Sequence, residues 1–375
     1  MLRFWCFVVH AFLPSNPARR LSCPPVLLRA VSLAALWHLG MAPAIGAAPP
    51  TTSPTVIDVG IQPLGYPAAI ISAVMERDAV MRRDLAARHL TVNFVPYKKG
   101  NDMVSLVGGN LLEAAILGDM PTIRTAVRTN VRVIGLVKQT YTSVVGNHMT
   151  TPAQLIGKRI GYSEGSSAHH TLLQALKSAG LSEKDVHLVP LEINEMPPAL
   201  AEGRIEAFCG WEPATSLALA RVAESRVLFK GRSSDYFIFS EEFLRSKPAA
   251  ARIVAAGFLR TVRWLQDKPS HLEQAAAWAI RDSEAFSGKS SGLTVPQAAE
   301  IARQEILSIP SAPVIVRLPS KHPRLYDEFL FLKTLGKLPA DSAPDRLRTA
   351  FESDILQQVI RQGRQLHLKE FSYRP

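Results

Sequence analysis

Apolar and polar positions change their period several times along this chain, and each change marks a new element. Residues 55–60 alternate and are β-branched, which predicts a strand. A loop over 61–67 leads into a helical pattern over 68–89, and 90–95 reads as a second strand. A polar loop at 98–102 and a short helix at 103–108 precede the apolar strand 113–117. Another helix starts behind Gly118-Asp-Met-Pro121, and 131–137 is a fourth strand. The same grammar then restarts, with strands at 158–162, 185–190, 205–209 and 226–229 and helices at 166–179, 195–202 and 213–223. Two successive βαβ blocks predict an α/β fold in two lobes, with sites at the C-terminal ends of the strands. Beyond residue 241 strands nearly vanish. Helices at 249–266, 271–282, 295–306, 323–335 and 345–362 dominate there, with loops at the Ser/Gly-rich 286–294 and the Pro-rich 308–319.

The first 48 residues stand apart. They hold four arginines and no Asp, Glu or Lys, turn apolar over 30–46, and close on Gly46-Ala47-Ala48. A basic start, a short apolar stretch and small residues are the marks of a secretory leader, which predicts a cleaved signal peptide over 1–48 and a periplasmic location. His38 and Pro43 interrupt the apolar run, which disfavours a membrane anchor. Cys23 follows Arg20-Leu21-Ser22, which is unsuited to lipid attachment. Loss of the leader would bring the formal net charge from +11 to +7 and leave Cys209 as the lone cysteine. That excludes an internal disulfide and a cysteine metal cluster. A positive field on an exported chain without a long Lys/Arg run suits a small anion better than nucleic acid.

The segment 157–170 is the richest in chemistry. A strand ends near Tyr162, a turn follows through Gly165, and a helix begins at Ser166 or Ser167. Helix N-termini present unpaired N–H groups and partial positive charge, so they hold anions. Ser166 and Ser167 add hydroxyls, and Gly165 lets backbone approach closely. An ordinary serine N-cap has the same pattern. Gly161-Tyr-Ser-Glu-Gly165 also fits the G-x-S-x-G elbow of hydrolases. However, the helix starts beyond Gly165 rather than at once behind Ser163, and no HGGG-like loop accompanies it. Gln62, Gly118-Asp119 and Glu212 stand at other strand ends. His169 and His170 are adjacent, without metal-ligand spacing, so neither metal nor other cofactor is expected.

Taken in order, Val59-Gly-Ile-Gln62, Ala115-Ile-Leu-Gly-Asp-Met-Pro121, Gly157-Lys-Arg-Ile160, Glu164-Gly-Ser-Ser-Ala-His169, 200–208, Trp211-Glu-Pro213 and 236–240 resemble the aliphatic sulfonate- and taurine-binding proteins of ABC importers. That family lies within the nitrate, sulfonate and thiamine-precursor binding group. The resemblance spans about residues 55–260. It implies a type II periplasmic binding protein, with lobe one from 53–147 plus the helical part 241–375 and lobe two from 148–240. Crossing segments near 144–149 and 237–240 would form its hinge. It implies a monomeric, non-catalytic trap that hands a small anion to a membrane permease. Gly165, Ser166, Ser167 and His169 would line the site, faced by Gln62, Gly118 and Asp119, with Glu212 where the family usually has Asp. Pro63-Leu64-Gly65 replaces a Lys-Gly pair, and Ala214 replaces a frequent aromatic residue. Enzymes on the same fold, such as pyrimidine-precursor synthases or chorismate dehydratase-like proteins, and sensing subunits of receptors are the alternatives.

Overall fold

Ile57 and Val59, on the apolar side of the first alternating run, are fully buried in β1 (Thr55–Ile61). The structure is a computed structural model that describes residues 55–307, 323–351 and 353–374. The leader over 1–48 and the loop over 308–319 lie outside the described residues. After β1 come α1 (Ala68–Glu76), α2 (Ala79–Ala86), β2 (Leu90–Pro96), α3 (Gly100–Gly108), β3 (Ala114–Gly118), α4 (Asp119–Arg128) and β4 (Val131–Asn147). The single helix expected over 68–89 is two. Asp78 is extended and caps α2, its Oδ1 accepting from Met81 N at 3.0 Å, while Oδ2 pairs with the fully buried Arg260 at 2.8 Å. A capping aspartate competes with helix continuation wherever its carboxylate finds a partner.

The second block holds β5 (Arg159–Tyr162), α5 (Ser167–Ser178), β6 (His187–Pro190), α6 (Met196–Ala201), β7 (Ala207–Gly210), α7 (Ala214–Arg221) and β8 (Ser225–Ser240). Helices α8 (Glu241–Ser246), α9 (Pro248–Asp267), α10 (Pro269–Ser287) and α11 (Val295–Ala302) follow. A π-helical turn at Arg303–Leu307 continues α11. Helices α12 (Pro323–Thr334), α13 (Pro344–Ala350) and α14 (Ile355–Arg361) complete the described residues.

The eight strands among the described residues share one sheet in the order β2-β1-β3-β8-β4-β7-β5-β6. β1 runs parallel to β2 and β3, and β5 runs parallel to β6 and β7. The long β4 and β8 lie antiparallel in the middle, from Val131↔Ser240 to Asn147↔Ser225, with register shifts near Gly135, Lys138 and Val145. β3 borders β8 only over 235–239, and β7 borders β4 only over 143–146. Residues 139–142 and 231–234 therefore have only each other as sheet neighbours. The crossing between the two halves of the sheet is here, not at the expected 144–149 and 237–240. Those two segments sit at opposite ends of the β4–β8 ladder and do not face each other. Separate apolar cores flank each half. Phe237, Phe239, Phe258 and Trp264 belong to the first half, and Leu172, Ala175 and Val144, or Met196, Leu200 and Phe208, to the second.

Candidate functional site

At the start of α5, Gly165 takes φ +69°, a left-handed conformation that costs glycine nothing. Ser166 is the N-cap, its Oγ accepting from His169 N at 3.2 Å and donating to Ser163 O at 2.6 Å. Ser166 thus has its only proton engaged by its own turn. Ser167, the first helical residue, accepts from Ser233 Oγ at 3.3 Å, which leaves its hydroxyl proton to be directed outward. His169 is 2% exposed. Its Nδ1 accepts from Gly165 N at 3.2 Å, so Nε2 carries the proton and donates to Glu183 Oε1 at 2.9 Å. His169 therefore braces the turn from behind and does not line the cavity. With both nitrogens engaged it does not serve Ser163 as a base either.

In the first half, Gln62 follows β1 and donates from Nε2 to Ile116 O at 3.0 Å. Gly118 is the N-cap of α4. Asp119 begins that helix, with Oδ1 accepting from Met120 N at 2.9 Å and Oδ2 from Ser234 N at 3.2 Å. Arg324 of α12 approaches Asp119 Oδ2 and Glu328 Oε1, each at 3.6 Å, and donates to Ser234 Oγ at 2.8 Å. Gly100 opens α3, and a Cβ there would come within 2.7 Å of Pro121 Cγ.

These pieces meet around a cavity of about 80 Å³. Gln62, Gly100 and Gly118 line it from one half and Ser166, Ser167 and Trp211 from the other. Lys138 and Asp235, on the crossing strands, form part of its wall. Three helix starts, those of α3, α4 and α5, so converge on one space. The starts of α3 and α5 present unpaired N–H groups and about half a positive charge, whereas at α4 Asp119 takes Met120 N and Pro121 has no N–H to offer. Lys138 is 4% exposed, with Nζ 3.7 Å from Asp235 Oδ2. Burial pushes the Asp235 carboxyl up, against the pull of Lys138 and with Asp119 adding to the rise. Lys138, Ser233 and Asp235 were not among the residues expected from sequence. Their one legible signal is a lysine continuing the apolar run 131–137, which is costly in a strand unless something meets its charge.

Besides His169, two expected residues stand apart from this cavity. Glu212 lines a neighbouring one and holds the first turn of α7, its Oε2 accepting from Ser216 N at 3.1 Å, and burial pushes its carboxyl up. Gly165 shapes the turn without being part of the wall. Cys209 is fully buried and its thiol is pushed up by that burial, which makes it inert. Among the described residues no group of His, Cys, Asp and Glu could hold a metal ion, and no helix is long and apolar enough to cross a membrane.

Residues 88–271 match the family model described as NMT1/THI5 like. An aliphatic sulfonates-binding protein of Escherichia coli (strain K12) is 25% identical over 177 residues, 44% of this chain and 55% of that protein. The matched part thus spans little more than half of that relative's length. The taurine-binding periplasmic protein of the same organism is 23% identical over 270 residues, 67% of this chain and 79% of its own. The chain resembles the periplasmic sulfonate- and taurine-binding proteins. The fold agrees. The crystal structure of the sulphonate-binding protein SsuA from Escherichia coli is matched at TM-score 0.63 and 19% identity, over 82% of this chain and all of that one. The desulfurization enzyme DSZB is matched at TM-score 0.55 and 13% identity, over 82% of this chain and 99% of that one, so the same fold also carries catalysis.

Proposed function

We propose that this chain is an exported solute-binding protein that captures a small organic anion, of the alkyl sulfonate or taurine class, and delivers it to the permease of an ABC importer. The observation that carries this reading is the convergence of the α3 and α5 helix starts and the buried Lys138 on one cavity at the β4–β8 crossing. Such a site offers hydrogen-bond donors and positive potential from several directions at once, which suits an oxyanion with three oxygens. The periplasmic relatives and the leader pattern support export. The lobes would meet at the crossing segments 139–142 and 231–234 rather than at the boundaries 147/148 and 240/241 read from sequence. Closing them on the ligand would shift an equilibrium between open and closed forms through bending at the crossing strands.

Calorimetry of the purified protein with alkanesulfonates, nitrate and carboxylates tests the assignment. Sulfonate binding that weakens by about tenfold or more in Lys138→Met, as for loss of one charge-assisted contact, is the expected result. Sulfonates that fail to bind would overturn the ligand class. The catalytic alternative needs Ser163 as nucleophile. An organophosphonate adduct that disappears in Ser163→Ala would establish it.

A further inference from the structure

The cavity wall contains two acids, which is unexpected for a space that receives an anion. They are held differently. Asp119 accepts from Met120 N and Ser234 N and stands beside Arg324. Asp235 is 9% exposed and pairs across the sheet with Lys138 of β4 and Gly118 of β3. Its Oδ1 lies against the α4 start, 3.4 Å from where a Cβ on Gly118 would stand. Its Oδ2 is 3.7 Å from Lys138 Nζ, a loose ion pair. Neither neighbour is free to hold the carboxylate. Asp119 already occupies the α4 start, and Lys138 is also within electrostatic reach of Glu212 and of Glu305 in the π-helical turn.

The chemistry of the ligand then forces a choice. A sulfonate stays ionised over the ordinary pH range, so its oxygens can only accept. In a space of about 80 Å³ they come within hydrogen-bond reach of the Asp235 carboxyl. Two ionised groups at that separation repel, whereas a carboxylic acid donates a short, strong hydrogen bond to an oxyanion. We propose that Asp235 takes up a proton from solvent as the anion enters and donates it in a hydrogen bond to an acid oxygen, which leaves Lys138 to pair with the ligand. One negative charge and one proton enter together, so the net charge of the site is unchanged. This rests on the proposed role of the cavity and adds to it a contact that makes capture depend on pH. The surroundings favour the neutral acid, as in other sites where a carboxyl is kept protonated to serve as a donor. Burial and Asp119 push the Asp235 carboxyl up, and Lys138 opposes them. Glu305, facing Asp235 from the π-helical turn, is itself raised to about 7 by burial, and burial also raises Glu212. On the far side of Asp119 stand Arg324 and Glu328 of α12, and His170 of α5, which burial pushes down.

The test is calorimetry of the full chain with ethanesulfonate and butanesulfonate, neither of which titrates between pH 5 and 9. Runs in buffers of different ionisation heat read the protons bound with the ligand. Affinity should be level in acid and fall by up to about tenfold per pH unit as pH rises through the raised carboxyl value. Over that fall, uptake should approach about one proton per ligand. Asp235→Asn keeps a donor that cannot titrate, so it should bind equally at every pH and take up no proton. Asp235→Ser, a smaller donor, should lose the uptake likewise, and Glu305→Gln should retain it. Level affinity without proton uptake in the parent would overturn the inference. So would uptake that persists in Asp235→Asn, which would place the proton on Glu305 or His170. Failure of both sulfonates to bind at any pH would overturn the sulfonate reading and this contact with it.

Discussion

The starts of α4 and α5 are built alike and behave oppositely. α4 follows β3 directly and α5 follows β5 after a four-residue turn, both are N-capped by a residue in extended conformation, and both face the same cavity. At α5 the first turn carries Ser166 and Ser167, neutral groups, and only Ser166 is consumed by the turn. At α4 it carries Asp119, whose carboxylate takes Met120 N and Ser234 N and stands beside Arg324. An acid at a helix start uses up the field that would otherwise hold an external anion. The α4 start thus ties the second crossing strand to the first half of the sheet, whereas the α5 start remains open to a ligand. Whether a helix N-terminus is scaffold or site depends on the side chain that reaches it first.

That contrast can be broken at its scaffold end. Arg324→Met leaves Asp119 and Glu328, each 1% exposed, without their cation. Unfolding in denaturant should show a loss of about 3–5 kcal/mol, as when one partner of a buried ion pair is removed. A loss below about 1 kcal/mol would mean that the acids find water instead.

Glu328→Gln in the same cluster should act in the other direction. Burial and Asp119 raise the Glu328 carboxyl well above its ordinary value. The folded state therefore keeps a proton that the unfolded chain releases once the pH passes the ordinary carboxyl value. Stability is full below that pH and falls as pH rises towards the raised value. The glutamine variant escapes this fall, so its advantage over the parent should widen with pH and vanish in acid. Thermal melts across pH 4 to 9 that run parallel for the two proteins would exclude it.

At the ligand end the two serines should separate. Ser167→Ala removes an outward hydroxyl, and sulfonate affinity by calorimetry should fall by about 1.5–3 kcal/mol with the fold unchanged. Ser166→Ala removes a cap, so the smallest effect is expected there. Stability should drop by about 1 kcal/mol, with a minor change in affinity. Swapped outcomes would mean that Ser166 turns from its cap to the ligand on closure.

The α5 helix start was legible because its parts are contiguous. Gly165, Ser166 and Ser167 sit at a change of period from strand to helix, and local spacing alone identifies such a junction. Gln62, Gly118 and Asp119 were found by the same rule, at the ends of other strands. His169 was misplaced since a histidine at that position can turn to the cavity or away from it. Gly165 N and Glu183 settle that choice.

The sequence by itself determined the alternation of strands and helices, the two βαβ blocks, the helical C-terminal part and the serine-capped start of α5. These are consequences of side-chain period and of capping, which act over a few residues. Only the tertiary structure decided where the halves cross, since β4 and β8 read as β throughout and their neighbours β3 and β7 set the unsupported stretch. It also decided which acids surround Lys138. Asp235, Glu212 and Glu305 come from three distant parts of the chain, and nothing in their local patterns records that they will share one buried cation. Charge acts through space, and the sequence orders residues only along the chain.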